Sequence, residues 1–155
     1  MDKMAVNEIA GDLIACFDRG NFAYVIGNGG SAAQAQHFAA ELVGHFEKPR
    51  RPLPMIALTT DTSALTAIGN DDGFEYVFSR QLEALGRAGD VLVVLSTSGN
   101  SQDCLEAIKT ARRLKMAVIE FPTTKIEYFA STAELQEKHL EMIHNICRII
   151  DQYYA

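Results

Sequence analysis

The residues able to do chemistry in this chain fall in two loops and on two helical stretches. Five aliphatic residues, 91–95, run straight into Ser96-Thr97-Ser98-Gly99-Asn100-Ser101, and a helical pattern follows. Four hydroxyls and a glycine at a helix start make an anion cradle that needs no lysine. Side-chain O–H and backbone N–H groups supply the donors. The plainer account makes Ser101 an N-cap and the rest a polar loop. Capping explains Ser101 and leaves Ser96, Thr97 and Ser98 without a role. A phosphate is the expected occupant.

A second loop, Gly27-Asn28-Gly29-Gly30-Ser31-Ala32, closes the apolar run 22–26 and opens another helix. Glycines let the backbone come close to a ligand, and the helix start offers free N–H groups. The string also fits the dinucleotide pattern G-x-G-x-x-A. Asp61 would then be its acidic partner, later than the usual spacing of about 20 residues. A tight turn with no ligand accounts for this loop equally well. Together the two loops suit a sugar phosphate, one for the phosphate and one for the hydroxyls. A dinucleotide has no particular use for the second.

His37 and Glu41 are four apart on the helix that this loop opens, so they share a face. Gln136 and His144, eight apart, point broadly the same way along the last helix, and His139 lies elsewhere on it. Converging imidazole and carboxylate groups suit zinc, with glutamine the rarer ligand. Taken singly, each has a structural account. His37 and Glu41 make an exposed helical pair worth roughly 0.2–0.5 kcal/mol. His144, flanked by Ile143 and Ile146, makes a hydrogen-bonded core histidine.

The elements that must position these groups alternate along the chain. Val6, Ile9, Leu13, Cys16 and Phe17 recur at helical spacing up to Gly20. A buried strand over 22–26, a helix over 31–46 and a strand over 55–58 follow, with Pro49, Pro52 and Pro54 between the last two. Asp61 caps a short helix through Ile68, stopped by Gly69-Asn70. Phe74, Val77, Phe78, Leu82 and Leu85 mark one more helix. The clearest strand is 91–95. A helix over 101–115 then buries Cys104, Leu105, Ile108, Ala111 and Leu114. A strand over 116–121 stops at Pro122, and a last helix spans 132–153. Strands apolar on both faces that alternate with helices indicate an α/β fold, a parallel sheet covered on both sides. Right-handed crossovers place the loops after each strand along the carboxyl edge, where such folds bind ligands.

The 155 residues suit a single domain with no internal repeat or linker. A formal net charge of -6, with the basic cluster confined to Lys48, Arg50 and Arg51 among prolines, sets nucleic acid aside. That cluster reads as a solvated turn. No apolar run approaches the roughly 20 residues that span a bilayer. Met1-Asp2-Lys3-Met4 leads into an amphipathic pattern and not a signal peptide. Cys16, Cys104 and Cys147 sit far apart on apolar helical faces, as buried thiols of a reducing, cytoplasmic compartment.

Taken in order, Gly27-Asn28-Gly29-Gly30-Ser31, His37-Phe38-Ala39-Ala40-Glu41, Ile68-Gly69-Asn70-Asp71, Ser96-Thr97-Ser98-Gly99-Asn100-Ser101 and Gln136-Glu137-Lys138-His139 with His144 resemble the sugar isomerase (SIS) domain. Within it they resemble the phosphoheptose isomerases. The resemblance covers nearly the whole chain, as one SIS domain over 1–155. The serine loop marks SIS domains broadly, and the helical His/Glu and Gln/His pairs are more specific to the heptose enzymes. It implies a flavodoxin-like sheet of four to five strands, with terminal helices that pack an oligomer. It also implies conversion of sedoheptulose 7-phosphate to D-glycero-D-manno-heptose 7-phosphate, the entry to bacterial heptose for surface polysaccharide.

Carried over by position, Asn28, Gly29, Gly30, Asn70 and Asp71 contact the substrate, and Ser96, Thr97, Ser98 and Ser101 hold its phosphate. His37, Glu41, Gln136 and His144 are the implied zinc ligands, with Glu41 and Gln136 also touching substrate. Glu41 is the base and His144 its acid/base partner, although a ligated histidine does not shuttle protons freely. Family members are homotetramers with shared active sites, so His144 would serve a neighbour's site. One departure stands out. The family has a further loop, helix and strand before the final helix, whereas here the strand runs through Pro122 into Thr123 and that helix too soon. A splice would fall near Val118-Ile119-Glu120, and the N-terminal helical region is also short. Two rival readings remain open: a non-catalytic SIS protein that binds a replication initiator or senses a sugar phosphate, and an isomerase of another phosphosugar. The initiator-binding relatives lose the helical glutamate and the last histidine, both of which stand here.

Overall fold

Strands β1 (Ala23–Gly27) and β3 (Val91–Leu95) are buried at every position, as unbroken apolar runs must be when helices cover both faces of a sheet. The computed structural model describes residues 3–121 and 131–155. It pairs β1 and β3 at the centre of a parallel sheet, with β2 (Met55–Ala57) and β4 (Ala117–Glu120) outside them in the order β2-β1-β3-β4. Four strands are thus present among the described residues. The expected stop at Pro122 and the start of the next segment at Thr123 lie outside them.

Side chains alternate between two cores, because successive residues of a strand point to opposite faces. Ala23, Val25, Val91, Val93 and Leu95 face the helices α1 (Lys3–Asp18), α2 (Gly30–Val43) and, late in the chain, the long C-terminal helix Thr132–Tyr154. Tyr24, Ile26, Leu92 and Val94 face the opposite layer. That layer holds α3 (Thr62–Asp71), a short 3₁₀ turn at Phe74–Tyr76, α4 (Ser79–Leu85) and α5 (Gln102–Arg113), which makes the C-terminal helix α6. All three cysteines are free and buried, as expected. Among the described residues no helix is long and apolar enough to cross a membrane.

The register sets Gly27 beside Leu95, so the two ligand-type loops leave the sheet side by side. Gly27 is what allows this: a Cβ there would stand 2.8 Å from the Leu95 carbonyl oxygen and 2.9 Å from Ser31. Elsewhere the structure departs from the sequence reading in detail. Asp61 caps α3 by accepting from Ala64 N at 2.9 Å, but the helix runs on through Gly69-Asn70 to Asp71. The stretch expected as one helix over 74–85 is divided, with Gly73 at φ +116° before the 3₁₀ turn. Phe74 and Leu85 are exposed, so only Val77, Phe78 and Leu82 supply its buried face. Helix α2 ends at Val43, where Gly44 turns the backbone.

Arg50 corrects the reading of its cluster as a solvated turn. Its side chain is fully buried against Asp151, with Nε 2.8 Å from Oδ1. Its Nη groups donate to the carbonyls of Glu41, Leu42, Gly44 and Arg51. The last carbonyls of a helix have no partner within it, and a guanidinium carries five donors to satisfy them. The second oxygen of Asp151 accepts from the backbone N–H of Glu47 and Lys48. Burial alone would raise the Asp151 carboxyl. These N–H groups and the guanidinium outweigh it and hold the carboxyl below its ordinary range.

Candidate active site

Asn28, Ser31, Leu95, Ser96, Thr97 and Ser101 line one cavity at the carboxyl edge of β1 and β3. No lysine or arginine is among them. The loop's own hydrogen bonds aim its hydroxyls: Ser96 Oγ accepts from Gly99 N at 3.1 Å, and Ser98 Oγ accepts from Asn100 N at 3.2 Å. A serine oxygen that accepts within its loop still has a proton to donate outward. Ser101 occupies the N-cap position of α5 yet makes no capping bond through its side chain. The plain N-cap account of that residue fails here, and its hydroxyl stays available to the cavity. Gly29 stands at φ +54°, in the left-handed region, where α2 begins.

Helix α6 lies along α2 and meets it at two levels. At the first, the Gln136 side chain covers Gly30, with Nε2 2.7 Å from where a Cβ would sit, and Gln34 Nε2 donates to the Gln136 carbonyl at 2.7 Å. Seven residues on along α2, about 10 Å at helical rise, His37 and His144 face each other with Nε2 atoms 3.0 Å apart. Glu41 Oε1 stands 3.5 Å from His37 Nε2. His144 stacks on Phe46, ring centroids 5.1 Å apart. Burial lowers the His144 pKa below its ordinary value, and the neighbouring His37 and Arg148 push the same way. His139, by contrast, is buried with its ring edge-on to Phe121.

The structure therefore gathers His37, Glu41 and His144, and holds Gln136 a level away, over the glycine loop. In kind the donors fit zinc, since two imidazole nitrogens already face each other with a carboxylate beside them. Within this chain, among the described residues, no three His, Cys, Asp or Glu side chains close into a metal cage. Asn70 and Asp71 fall in the last turn of α3, exposed, where Asn70 Nδ2 donates to Asp71 Oδ1 at 2.7 Å. Neither lines the cavity.

Two participants escaped the sequence reading. Arg50 supports the carbonyl end of the helix that carries Glu41. Asp103, at 4% exposure, accepts from Asn28 Nδ2 at 3.0 Å and so joins the two loops. An acidic residue in the first turn of α5 was the only local sign of the second. Cys104, beside it, is no nucleophile: burial, with the Asp103 carboxylate adding, pushes its thiol up to about 12.

Comparison with known proteins agrees with this layout. The SIS domain family matches residues 2–121. A phosphoheptose isomerase of Campylobacter concisus is 49% identical over 160 residues, covering 95% of this chain and 85% of the relative. Among solved structures, a phosphoheptose isomerase from Neisseria gonorrhoeae superposes with a TM-score of 0.88 at 45% identity, over 97% of this chain and 86% of that one. One from Francisella tularensis gives 0.89 at 38% identity, with the same two coverages. The chain belongs to the SIS domain family, and within it to the phosphoheptose isomerases.

Proposed function

We propose that this chain, as one SIS domain, interconverts sedoheptulose 7-phosphate and D-glycero-D-manno-heptose 7-phosphate, in the cytoplasm and as a tetramer with shared sites. The observation that carries the reading is the pairing of a neutral, hydroxyl-lined cavity with a cluster of His37 and Glu41, on the helix that leaves it, and His144 of α6. The phosphate rests on Ser96, Thr97, Ser98 and Ser101. The sugar lies along Asn28 to Gly30 under Gln136. Asn70 and Asp71, which do not line the cavity in this chain, supply further substrate contacts.

Aldose–ketose exchange moves a proton between adjacent carbons through an enediolate. Glu41 takes the proton from the first carbon and gives it to the second, while His144 moves a proton from the hydroxyl oxygen to the carbonyl oxygen, so that each proton lost is matched by one gained. The lowered His144 pKa keeps its ring neutral at pH 7, so that it both donates and accepts. His37, in contact with both groups, holds their orientation. Zinc held by His37, Glu41 and His144 would supply Lewis-acid polarisation of the carbonyl. Gln136, the fourth ligand implied by the resemblance, stands a level away in this chain, and a ligated His144 would not also move the proton.

The separation of the two levels along α2 supports a long acyclic substrate, with its phosphate at one end and its carbonyl at the other. Incubation with sedoheptulose 7-phosphate and with fructose 6-phosphate, with and without a chelator, tests the proposal. Turnover of the heptose alone, reduced by chelation, is the expected result. Turnover of neither sugar would refute it. Ser98→Ala raises KM by about tenfold with kcat nearly unchanged, because a hydrogen bond to a charged group that holds ground and transition states alike is uniform binding. A loss confined to kcat would contradict that role.

A further inference from the structure

We propose that Asp103 is a positioning residue that fixes the side chain of Asn28 so that it accepts from a sugar hydroxyl; this rests on the isomerase reading above. Asp103 is buried at the second position of α5. Its Oδ1 accepts two hydrogen bonds, from Asn28 Nδ2 at 3.0 Å and from Cys104 N at 2.9 Å. The first joins the β3–α5 region to the β1–α2 loop.

An amide held by its nitrogen from behind turns its carbonyl oxygen the other way. Asn28 lines the cavity and is only partly buried. The oxygen therefore faces the open side. An oxygen acceptor there takes a hydroxyl proton and repels a phosphate oxygen. Asp103 in this way divides the cavity: the phosphate goes to the serine loop and a sugar hydroxyl to Asn28.

The second bond has its own effect. The first turn of α5 needs an acceptor for its N–H groups, a task that an N-cap serine usually takes. Here Asp103 takes the Cys104 N–H, and Ser101 is released from capping. Meanwhile Asp103 Oδ2 is buried with no hydrogen-bond donor among the described residues. A buried carboxylate oxygen without a donor is costly. Asparagine at this position would keep both observed bonds through its own oxygen and avoid the charge. The conservative variant therefore separates the acceptor, which the positioning role requires, from the charge, which it does not.

The experiment is calorimetric titration of Asp103→Ala, Asn28→Ala, the double variant and Asp103→Asn with sedoheptulose 7-phosphate and with inorganic phosphate. Asp103→Ala weakens the sugar phosphate by about tenfold, the scale of one lost charge-assisted or oriented hydrogen bond, and inorganic phosphate by no more than about threefold. Asn28→Ala does the same, and the double variant is little worse than either, because one effect passes through the other. Asp103→Asn recovers most of the loss. Equal weakening of both ligands by Asp103→Ala, or effects that multiply in the double variant, overturns the proposal. Should Asp103→Ala lose its circular dichroism, Asn28→Asp carries the test, since it sets two acceptors against each other. Adding Asp103→Asn to it restores a donor and is expected to regain affinity; no regain overturns the proposal. Wild-type turnover judges the isomerase reading separately.

Discussion

Glu41→Gln lowers kcat on sedoheptulose 7-phosphate by at least about 100-fold while the sugar still binds, the scale of loss when a positioned general base is removed. The amide keeps the shape of the side chain and loses its ability to take a proton. Folding is not at stake in this substitution. Arg50 holds the backbone carbonyl of Glu41, not its carboxylate, and among the described residues the carboxylate pairs with His37 at 3.5 Å. A steady-state kcat, a titrated Kd and a melting temperature separate the possibilities. An equally active variant would remove Glu41 from the chemistry. Lost binding with unchanged melting would make it a substrate clamp.

Arg50→Ala and Asp151→Ala each destabilise the fold by about 3–5 kcal/mol, because each leaves its partner's charge buried and alone. Arg50 also leaves the carbonyls of Glu41, Leu42 and Gly44 without their guanidinium donors. Replacing both residues by well-packed apolar ones costs much less than either single change. Urea unfolding of the two single variants and the double reads this directly. Single losses under about 1 kcal/mol would show that the pair is wetter than its geometry. The pair has a pH signature with a definite sign. The folded pKa of Asp151 lies below the ordinary 3.8, so its contribution is complete above that value and fades as pH falls through the folded one. Asp151→Asn is expected to flatten this acid limb of the wild-type stability curve.

The consequences reach the site, since Asp151 stands two turns beyond His144 on α6 while Arg50 grips the end of α2. This latch sets how far one helix slides along the other. It therefore sets whether the two imidazoles meet at 3.0 Å.

The parts of this architecture legible in the sequence were those written in local patterns. Val91–Leu95 was read at both ends because five aliphatic residues stand between turn residues. Asp61 declared its helix by a capping geometry that depends on three residues. The spacing implies convergence of the helical faces that carry His37, Glu41, Gln136 and His144, and the packing of α6 on α2 supplies it for all but Gln136. What stayed illegible depends on distant partners. Arg50 looked like a surface cation because the carboxylate that buries it lies 101 residues away. Asp103 has no part in the sequence reading because its bond to Asn28 spans 75 residues. The stretch expected as one helix over 74–85 breaks at Val77-Phe78, between the 3₁₀ turn and α4, and both of these residues are apolar and buried, so an apolar count does not register the break.

On the function proposed above, the serine loop would hold its guest through neutral dipoles, since no charged side chain lines the cavity among the described residues, in a molecule whose formal net charge is -6. Dipoles act at contact distance, so there is little long-range pull to draw a dianion in, and little for dissolved salt to screen away. Recognition at such a mouth would be by fit at close quarters, and a guest that fits would leave without having to break an ion pair.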